Sequence, residues 1–271
     1  MQDLPVFWIS IIEPNLIKLK DMNRKDLLLP VVGLCTLLFG LPSCSDDNND
    51  VDWGTTALVT VVPYENGSFV MYLDDATILR PINVDKSPFG DKEVRAIVNY
   101  HDMNYYSRSN EVHPGYGVIG AEVIRLDSIR TKLPAESVGE QNDDTYGKDP
   151  IEIVDDWVTV AEDGYLTLRV RTLWGSFGTP HIINLLTGSN PDDPFELELR
   201  HNANGDMSQN WGDALIAFNL NKLPKDNADA VTIKLKWKSF SGEKAKEFSL
   251  KMRQAKQEID ITGIAHSNEV R

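Results

Sequence analysis

The feature that most constrains the fold of this chain is a succession of short strand-like segments, each closed by a turn signal. Tyr165–Leu173 (YLTLRVRTL) alternates apolar and polar residues, and it follows Asp163-Gly164, a dipeptide that favours a two-residue hairpin turn. Ala57–Val62 is rich in β-branched residues, and Asn66-Gly67 predicts that the chain then folds back into Phe69–Leu73. Because the segments after residue 53 lack the 3.6-residue period of an amphipathic helix, the sequence predicts an all-β protein.

The predicted strands fall into two groups. Five short, antiparallel strands within residues 54–132, some of them curved, suit an OB-like small barrel, and about seven regularly spaced strands within residues 151–253 suit an immunoglobulin-like β-sandwich. Residues 133–150 combine Gly, Pro and polar residues and are predicted to be a linker, and residues 254–271 a loose tail. The predicted strands are 57–62, 69–73, 77–79, 93–100 and 118–126, then 151–160 with a break at Asp155-Asp156, 165–173, 181–186, 195–200, 214–220, 231–237 and 247–252.

The N-terminal segment has the pattern of a secretory signal peptide. Its apolar run Leu27–Phe39 is too short to span a bilayer, which takes about 20 apolar residues, and Arg24 and Lys25 supply the positive charge that precedes such a run. Residues 22–43 are therefore predicted to be the signal peptide, starting at Met22. Residues 1–21 are then a mis-assigned start, and the alternative is an unusually long positively charged region.

Cys44 is the predicted lipidation site. Leu41-Pro42-Ser43-Cys44 matches the bacterial lipobox, in which the cysteine becomes the acylated first residue, and several acyl chains together anchor a protein stably. The only other cysteine, Cys35, leaves with the signal, so no disulfide is expected. Residues 44–53 form an acidic tether that resembles the surface-export signal of Bacteroides-type lipoproteins. This predicts an outer membrane lipoprotein that faces the cell exterior, with a periplasm-facing anchor as the alternative.

Charge and motif content argue against several classes of function. The formal net charge is −14 and no local basic patch compensates it, so binding to nucleic acid is not expected. No G-x-S-x-G nucleophile motif occurs, and the acidic pairs lie in predicted turns or in the tether. His181 and His201 could meet within the sandwich, but two histidines without a third ligand make a poor zinc site. We therefore predict no enzyme activity, no metal and no cofactor, with a hydrolase built on His181 and Asp206 as a minor alternative.

Two loops carry candidate binding residues. Tyr105 and Tyr106 lie in the polar loop 101–116, and Trp174 and Phe177 lie in the Gly-rich loop 174–180. Aromatic residues are favoured at contact surfaces, although these rings could instead pack on the ends of the barrel or sandwich. A glycan-binding alternative requires Trp174 and Trp211 to be coplanar on one exposed face. Separately, Asp127-Ser128-Ile129 resembles a bacterial O-glycosylation motif, which would modify Ser128.

The mature chain resembles the NigD-like lipoproteins of Bacteroides and Prevotella relatives. The resemblance extends from Cys44 to about Met252. It implies an N-terminal OB-like domain and a C-terminal β-sandwich, with a role near bacteriocin production, immunity or export. The most specific segment on which the resemblance rests is Arg200–Asp206 (RHNANGD). The other segments are Tyr72-Leu73-Asp74-Asp75, Val98-Asn99-Tyr100, Asp155-Asp156-Trp157 and Pro180–Leu185.

These observations predict a non-enzymatic, lipid-anchored envelope protein. We expect it to bind a protein partner at the cell surface, either a bacteriocin-associated protein or an envelope component. The alternative is a surface glycan-binding accessory lipoprotein.

Overall fold

A computed structural model of the chain describes residues 54–73, 77–103, 117–175, 178–208, 210–224 and 230–252. The barrel and the sandwich formed by these residues belong to one compact unit. No helix in this part of the chain has both the length and the apolar character needed to cross a membrane.

The first half of the described chain forms a closed barrel in the order β1-β2-β3-β5-β4. Its strands pair antiparallel as predicted, except that β3 and β5 run parallel, because the strand that closes the barrel beside β3 is β5 and not the next strand in sequence. Residues 82–93 connect β3 to β4 without a helix, so the barrel closes without one. The predicted small barrel is confirmed. Its strands are β1 (Thr55–Pro63), β2 (Phe69–Tyr72), β3 (Thr77–Pro81), β4 (Val94–Asp102) and β5 (Gly117–Ser128).

The second half forms two packed sheets, which confirms the predicted sandwich. One sheet has the order β6-β13-β10-β8, with β9 also paired to β10, and the other has the order β15-β14-β12-β11-β7. Apolar residues that alternate along these strands fill the space between the sheets, among them Leu168, Phe218, Leu185, Leu199 and Leu235. The strands are β6 (Arg130–Lys132), β7 (Ala135–Glu136), β8 (Glu152–Val154), β9 (Val160–Glu162), β10 (Tyr165–Leu173), β11 (Ile182–Thr187), β12 (Glu196–Asn202), β13 (Trp211–Asn219), β14 (Ala230–Ser239) and β15 (Gly242–Lys251).

Residues 133–150, expected to be a linker, contain structure of their own. They hold β7, one 3-10 turn (Gly139–Gln141) and the short helix α1 (Asn142–Tyr146). The β7 strand pairs in parallel with β11, so this segment belongs to the second sheet of the sandwich. The Asn142 side chain accepts a hydrogen bond from the Val138 amide and donates one to Ser137, so it stabilises the turn within this segment.

The barrel and the sandwich share a buried junction. The chain passes directly from β5 into β6, which pairs with β13 of the sandwich. Leu58 of the barrel packs with Ile129 and Ala217 in one buried apolar cluster. As a result, the barrel covers the outer face of the first sheet near Ala217 and leaves the far end of that face uncovered.

Candidate functional site

The uncovered end of the first sheet carries an exposed surface of charged and aromatic side chains. Residues of β10 and β13 alternate between the core and the outer face, and the outer face beyond the barrel presents charged side chains and one large aromatic ring. We call this surface the outer shelf. It consists of Asp156, Arg169, Arg171, Leu173, Trp211, Asp213 and Phe240.

The charges of the outer shelf neutralise one another. Asp213 accepts hydrogen bonds from Arg169 Nε at 2.8 Å and from Arg171 Nε at 2.6 Å. Arg169 also donates from Nη1 to Asp156 Oδ2 at 2.8 Å. The hydrogen bond from Arg171 is the largest of the effects that hold the pKa of Asp213 below its usual value. Two guanidinium groups and two carboxylates thus form a connected, rigid cluster.

An exposed aromatic pair lies at the end of the shelf. The rings of Trp211 and Phe240 meet edge to face with their centroids 4.9 Å apart, and the two residues are 55% and 37% exposed. Glu152 holds the turn that carries Phe240, because it accepts hydrogen bonds from the Phe240 amide at 3.2 Å, from Ser239 Oγ at 2.6 Å and from Lys244 Nζ at 2.9 Å. The pair is therefore exposed, and the turn that carries its Phe240 member is held in place.

Trp174 has a different environment from Trp211. It is half-buried, meets the His181 ring edge-on at 6.3 Å, and lies against the core-facing side of Gly212, where an added Cβ would be 2.9 Å from Trp174 Cε3. Because Gly212 and Trp211 are neighbours in a strand, they face opposite sides of the sheet. Trp174 and Trp211 therefore do not form the single coplanar platform that the glycan hypothesis required.

Of the other site residues predicted from the sequence, the structure describes only Ser128. Ser128 is the half-buried last residue of β5 and pairs with Ala96 of β4. Cys44, Tyr105, Tyr106 and Phe177 lie outside the described residues.

The two histidines considered from the sequence do meet inside the sandwich. His181 Nδ1 and His201 Nε2 are 2.9 Å apart, and His201 Nδ1 is 3.2 Å from the Pro150 carbonyl oxygen. His181 Nε2 lies 3.7 Å from Asp206 Oδ2. However, the His181 side chain is only 1% exposed, so this cluster is not accessible to a substrate. Among the described residues, no group of three or more His, Cys, Asp or Glu side chains could hold a metal ion.

The RHNANGD string forms a turn at its Asn-Gly dipeptide, which is typical of such a turn. Asn204 and Gly205 both have positive φ, 50° and 80°, and the Asp206 amide donates to the Ala203 carbonyl at 2.9 Å. The Asn202 side chain accepts a hydrogen bond from the Asn204 amide at 2.8 Å. The polar residues of this string therefore support a turn.

Comparisons with known proteins agree with this architecture. Residues 58–113 match the family model for the NigD-like N-terminal OB domain, and residues 134–251 match that for the NigD-like C-terminal beta sandwich domain. The search of curated proteins gave no match.

Three solved structures are similar to the chain. A protein from Parabacteroides distasonis, provisionally described as toxin-related, is 32% identical with a TM-score of 0.59, over 73% of this chain and 93% of that one. A Bacteroides vulgatus protein of unknown function is 21% identical with a TM-score of 0.54, over 72% and 90%. A NigD-like immunity protein from Bacteroides caccae is 22% identical with a TM-score of 0.47, over 72% and 91%. The two domain families match in the same order as the barrel and the sandwich occur along the chain, which shows that this chain belongs to the NigD-like family.

Proposed function

We propose that this chain is a non-enzymatic, lipid-anchored envelope protein that binds a protein partner through the outer shelf. The observation that carries the proposal is the exposed, prepositioned pair of Trp211 and Phe240 beside the Arg169–Asp213 cluster. Tryptophan and arginine are enriched among the residues that contribute most to protein–protein binding. A rigid aromatic anchor loses little conformational entropy when a partner covers it.

The charge pattern of the shelf also favours a protein partner. Its arginines and aspartates already satisfy one another, so a partner can cover the cluster without leaving a buried charge unpaired. The apolar contact then falls on Trp211, Phe240 and Leu173, with the paired charges at its border. This is the usual arrangement of an apolar centre and a polar rim in protein interfaces.

The proposed location is the outer membrane, with the protein facing the cell exterior and anchored through lipid on Cys44. The lipobox and the acidic tether support this location. The description of the Parabacteroides distasonis relative as toxin-related supports a bacteriocin-associated partner over a general envelope component. Tyr105, Tyr106, Trp174 and Phe177 remain proposed secondary contacts, and Ser128 a proposed O-glycosylation site.

Crosslinking on intact cells tests the proposal. Wild type, Cys44→Ser and Trp211→Ala would each be captured after crosslinking and their partners identified by mass spectrometry. Ile82→Ala is the matched control, because Ile82 is an apolar barrel residue that is 52% exposed. We expect one dominant protein with wild type and Ile82→Ala, at least tenfold less of it with Trp211→Ala, and loss of membrane retention with Cys44→Ser. Equal capture by Trp211→Ala would contradict the role of the shelf.

A glycan ligand is the second candidate. Trp211 alone could stack on a sugar ring while Arg171 and Asp213, which lie on the same face, bond to its hydroxyl groups. Binding of purified oligosaccharides to wild type, with loss in Trp211→Ala and no protein captured on cells, would favour this candidate over the first.

A further inference from the structure

Four polar groups form a buried chain across one end of the sandwich. The Pro150 carbonyl lies next to His201 Nδ1 at 3.2 Å, His201 Nε2 lies next to His181 Nδ1 at 2.9 Å, and His181 Nε2 faces Asp206 Oδ2 at 3.7 Å. His201 and His181 are 1% and 7% exposed. His181 Nε2 is buried and makes no hydrogen bond.

Counting protons shows that this chain is incomplete when both histidines are neutral. A carbonyl or carboxylate oxygen can only accept, so both outer gaps require an N–H on the adjacent imidazole, and the gap between the two rings requires one more. The three gaps need three protons, whereas two neutral imidazoles carry two. If His201 Nδ1–H bonds to Pro150 and His181 Nδ1–H bonds to His201, then the unprotonated His181 Nε2 faces Asp206. This arrangement explains the orphaned nitrogen.

One added proton completes the chain. A proton on His181 Nε2 gives an N–H that can donate to Asp206 Oδ2, once the present 3.7 Å separation closes to hydrogen-bonding distance. Burial lowers the pKa of His181 below its ordinary value, and the two carboxylates that face the pair, Asp206 in the turn after β12 and Asp149 before β8, oppose this effect by favouring the protonated form. Protonation of His201 as well is disfavoured, because His201 is buried and lies next to the His181 ring that already carries the first added proton.

The proton acts on a contact that holds the segment after β10. Asp206 Oδ2 already accepts a hydrogen bond from the Gly175 amide at 3.2 Å, and Gly175 follows Trp174, which contacts the His181 ring. Thus a single carboxylate would join the Ala203–Asp206 turn, the start of β11 and the Trp174–Gly175 segment. We propose that the His181–His201 pair takes up one proton as a unit on acidification, and that this proton latches Asp206 to His181. The latch goes beyond the proposed function, since it lies on the core side of the sheet and not on the outer shelf.

Nitrogen NMR of the mature full chain, labelled with 15N-histidine, tests the latch between pH 7.5 and 4. We expect His201 Nδ1 to be protonated throughout and His181 Nε2 to become protonated in a single step. Asp206→Asn removes the carboxylate but keeps an oxygen that can accept from Gly175, and it should lower the apparent pKa of His181 by at least about one unit, or tenfold in proton affinity. Asp192→Asn, which removes one negative charge from the turn before β12, is the control and should leave that pKa unchanged.

Two results would overturn the latch. One is independent titration of both histidines near the ordinary value of 6.5, and the other is an unchanged His181 pKa in folded Asp206→Asn. Should that variant fail to fold, the wild-type spectra decide the matter alone, because an unprotonated His181 Nε2 at pH 4 contradicts the proposal.

Discussion

Arg95 shows how a single buried charge joins the two halves of the molecule. The residue is 1% exposed, donates from Nη1 to Thr60 Oγ1 of the barrel at 2.8 Å, and forms an ion pair with Glu162 of the sandwich. Removing Arg95 leaves the buried hydroxyl groups of Thr60 and Thr167 without this partner, whereas the Glu162 carboxylate is 33% exposed and can be hydrated. An unsatisfied buried polar group costs about 1–3 kcal/mol, so we expect Arg95→Ala to lower the free energy of unfolding by that amount in urea denaturation. Arg125→Ala, which breaks an exposed ion pair, should cost less than about 1 kcal/mol.

His201 makes stability depend on pH in a defined window. Burial, and then the proximity of His181, lower the pKa of His201 from its ordinary value of 6.5 to about 4 in the folded chain. Between these values His201 is protonated in the unfolded chain but not in the folded chain, where the His181–His201 pair holds at most one proton, so stability falls as the pH falls from 6.5 to 4. A shift of that size corresponds to roughly 3 kcal/mol. Urea denaturation at pH 7, 6, 5 and 4 should show this loss, and His201→Gln should reduce the slope. A flat profile in wild type would contradict the assignment.

At the scale of elements, the hairpin turn between β9 and β10 depends on close packing as well as on backbone conformation. Gly164 has a φ of +73°, and a Cβ there would lie 2.0 Å from Asn221 Oδ1. Gly188, in the turn between β11 and β12, has a φ of +71° with nothing within 4 Å of the same position. Gly188→Ala should therefore cost about 1 kcal/mol from backbone strain alone. Gly164→Ala should cost about 1–2 kcal/mol more, because Asn221 must move and lose its bond to Asn219.

A rescue variant separates the two causes at Gly164. Asn221→Ala removes the obstructing side chain, so Gly164→Ala introduced into that background should cost only the amount seen at Gly188, as measured by thermal and urea unfolding. If the cost of Gly164→Ala is the same with and without Asn221, close packing plays no part in this turn.

Sequence patterns within a few neighbouring residues predicted individual strands and turns, whereas the pairing of distant strands could not be predicted from the sequence. The bounds of β10 coincide with the alternating segment Tyr165–Leu173, and Asn204-Gly205 forms its turn, because both signals lie within a few neighbouring residues. The strands β6 and β7 have three and two residues, too few for any period to appear, and they exist only through parallel pairing with distant strands. The sequence offers Trp211 as a candidate only together with Trp174, in the glycan hypothesis. It does not show that Trp174, the residue after β10, packs on the opposite side of the sheet from Trp211.

The whole molecule should unfold as one unit although it contains two domains. The apolar junction around Leu58 and Ala217, the Arg95 ion pair, and the passage of β5 directly into β6 leave no free hinge between the barrel and the sandwich. Cooperative unfolding requires that neither half be stable once the other exposes this shared surface. We therefore expect a single transition, with both halves losing structure at the same urea concentration.

The distribution of tryptophan makes this expectation testable. In residues 44–271 with Trp53→Phe, the remaining tryptophans all lie in the sandwich, namely Trp157, Trp174, Trp211 and Trp237. Their fluorescence would report sandwich unfolding, while hydrogen exchange of peptides from β1–β5, followed by mass spectrometry, would report the barrel. The two midpoints should coincide, and Leu58→Asp, which buries a charge in the junction, should lower both together. Exchange of the barrel at urea concentrations where the fluorescence is still native would mean that the barrel opens alone and that the junction does not couple the domains.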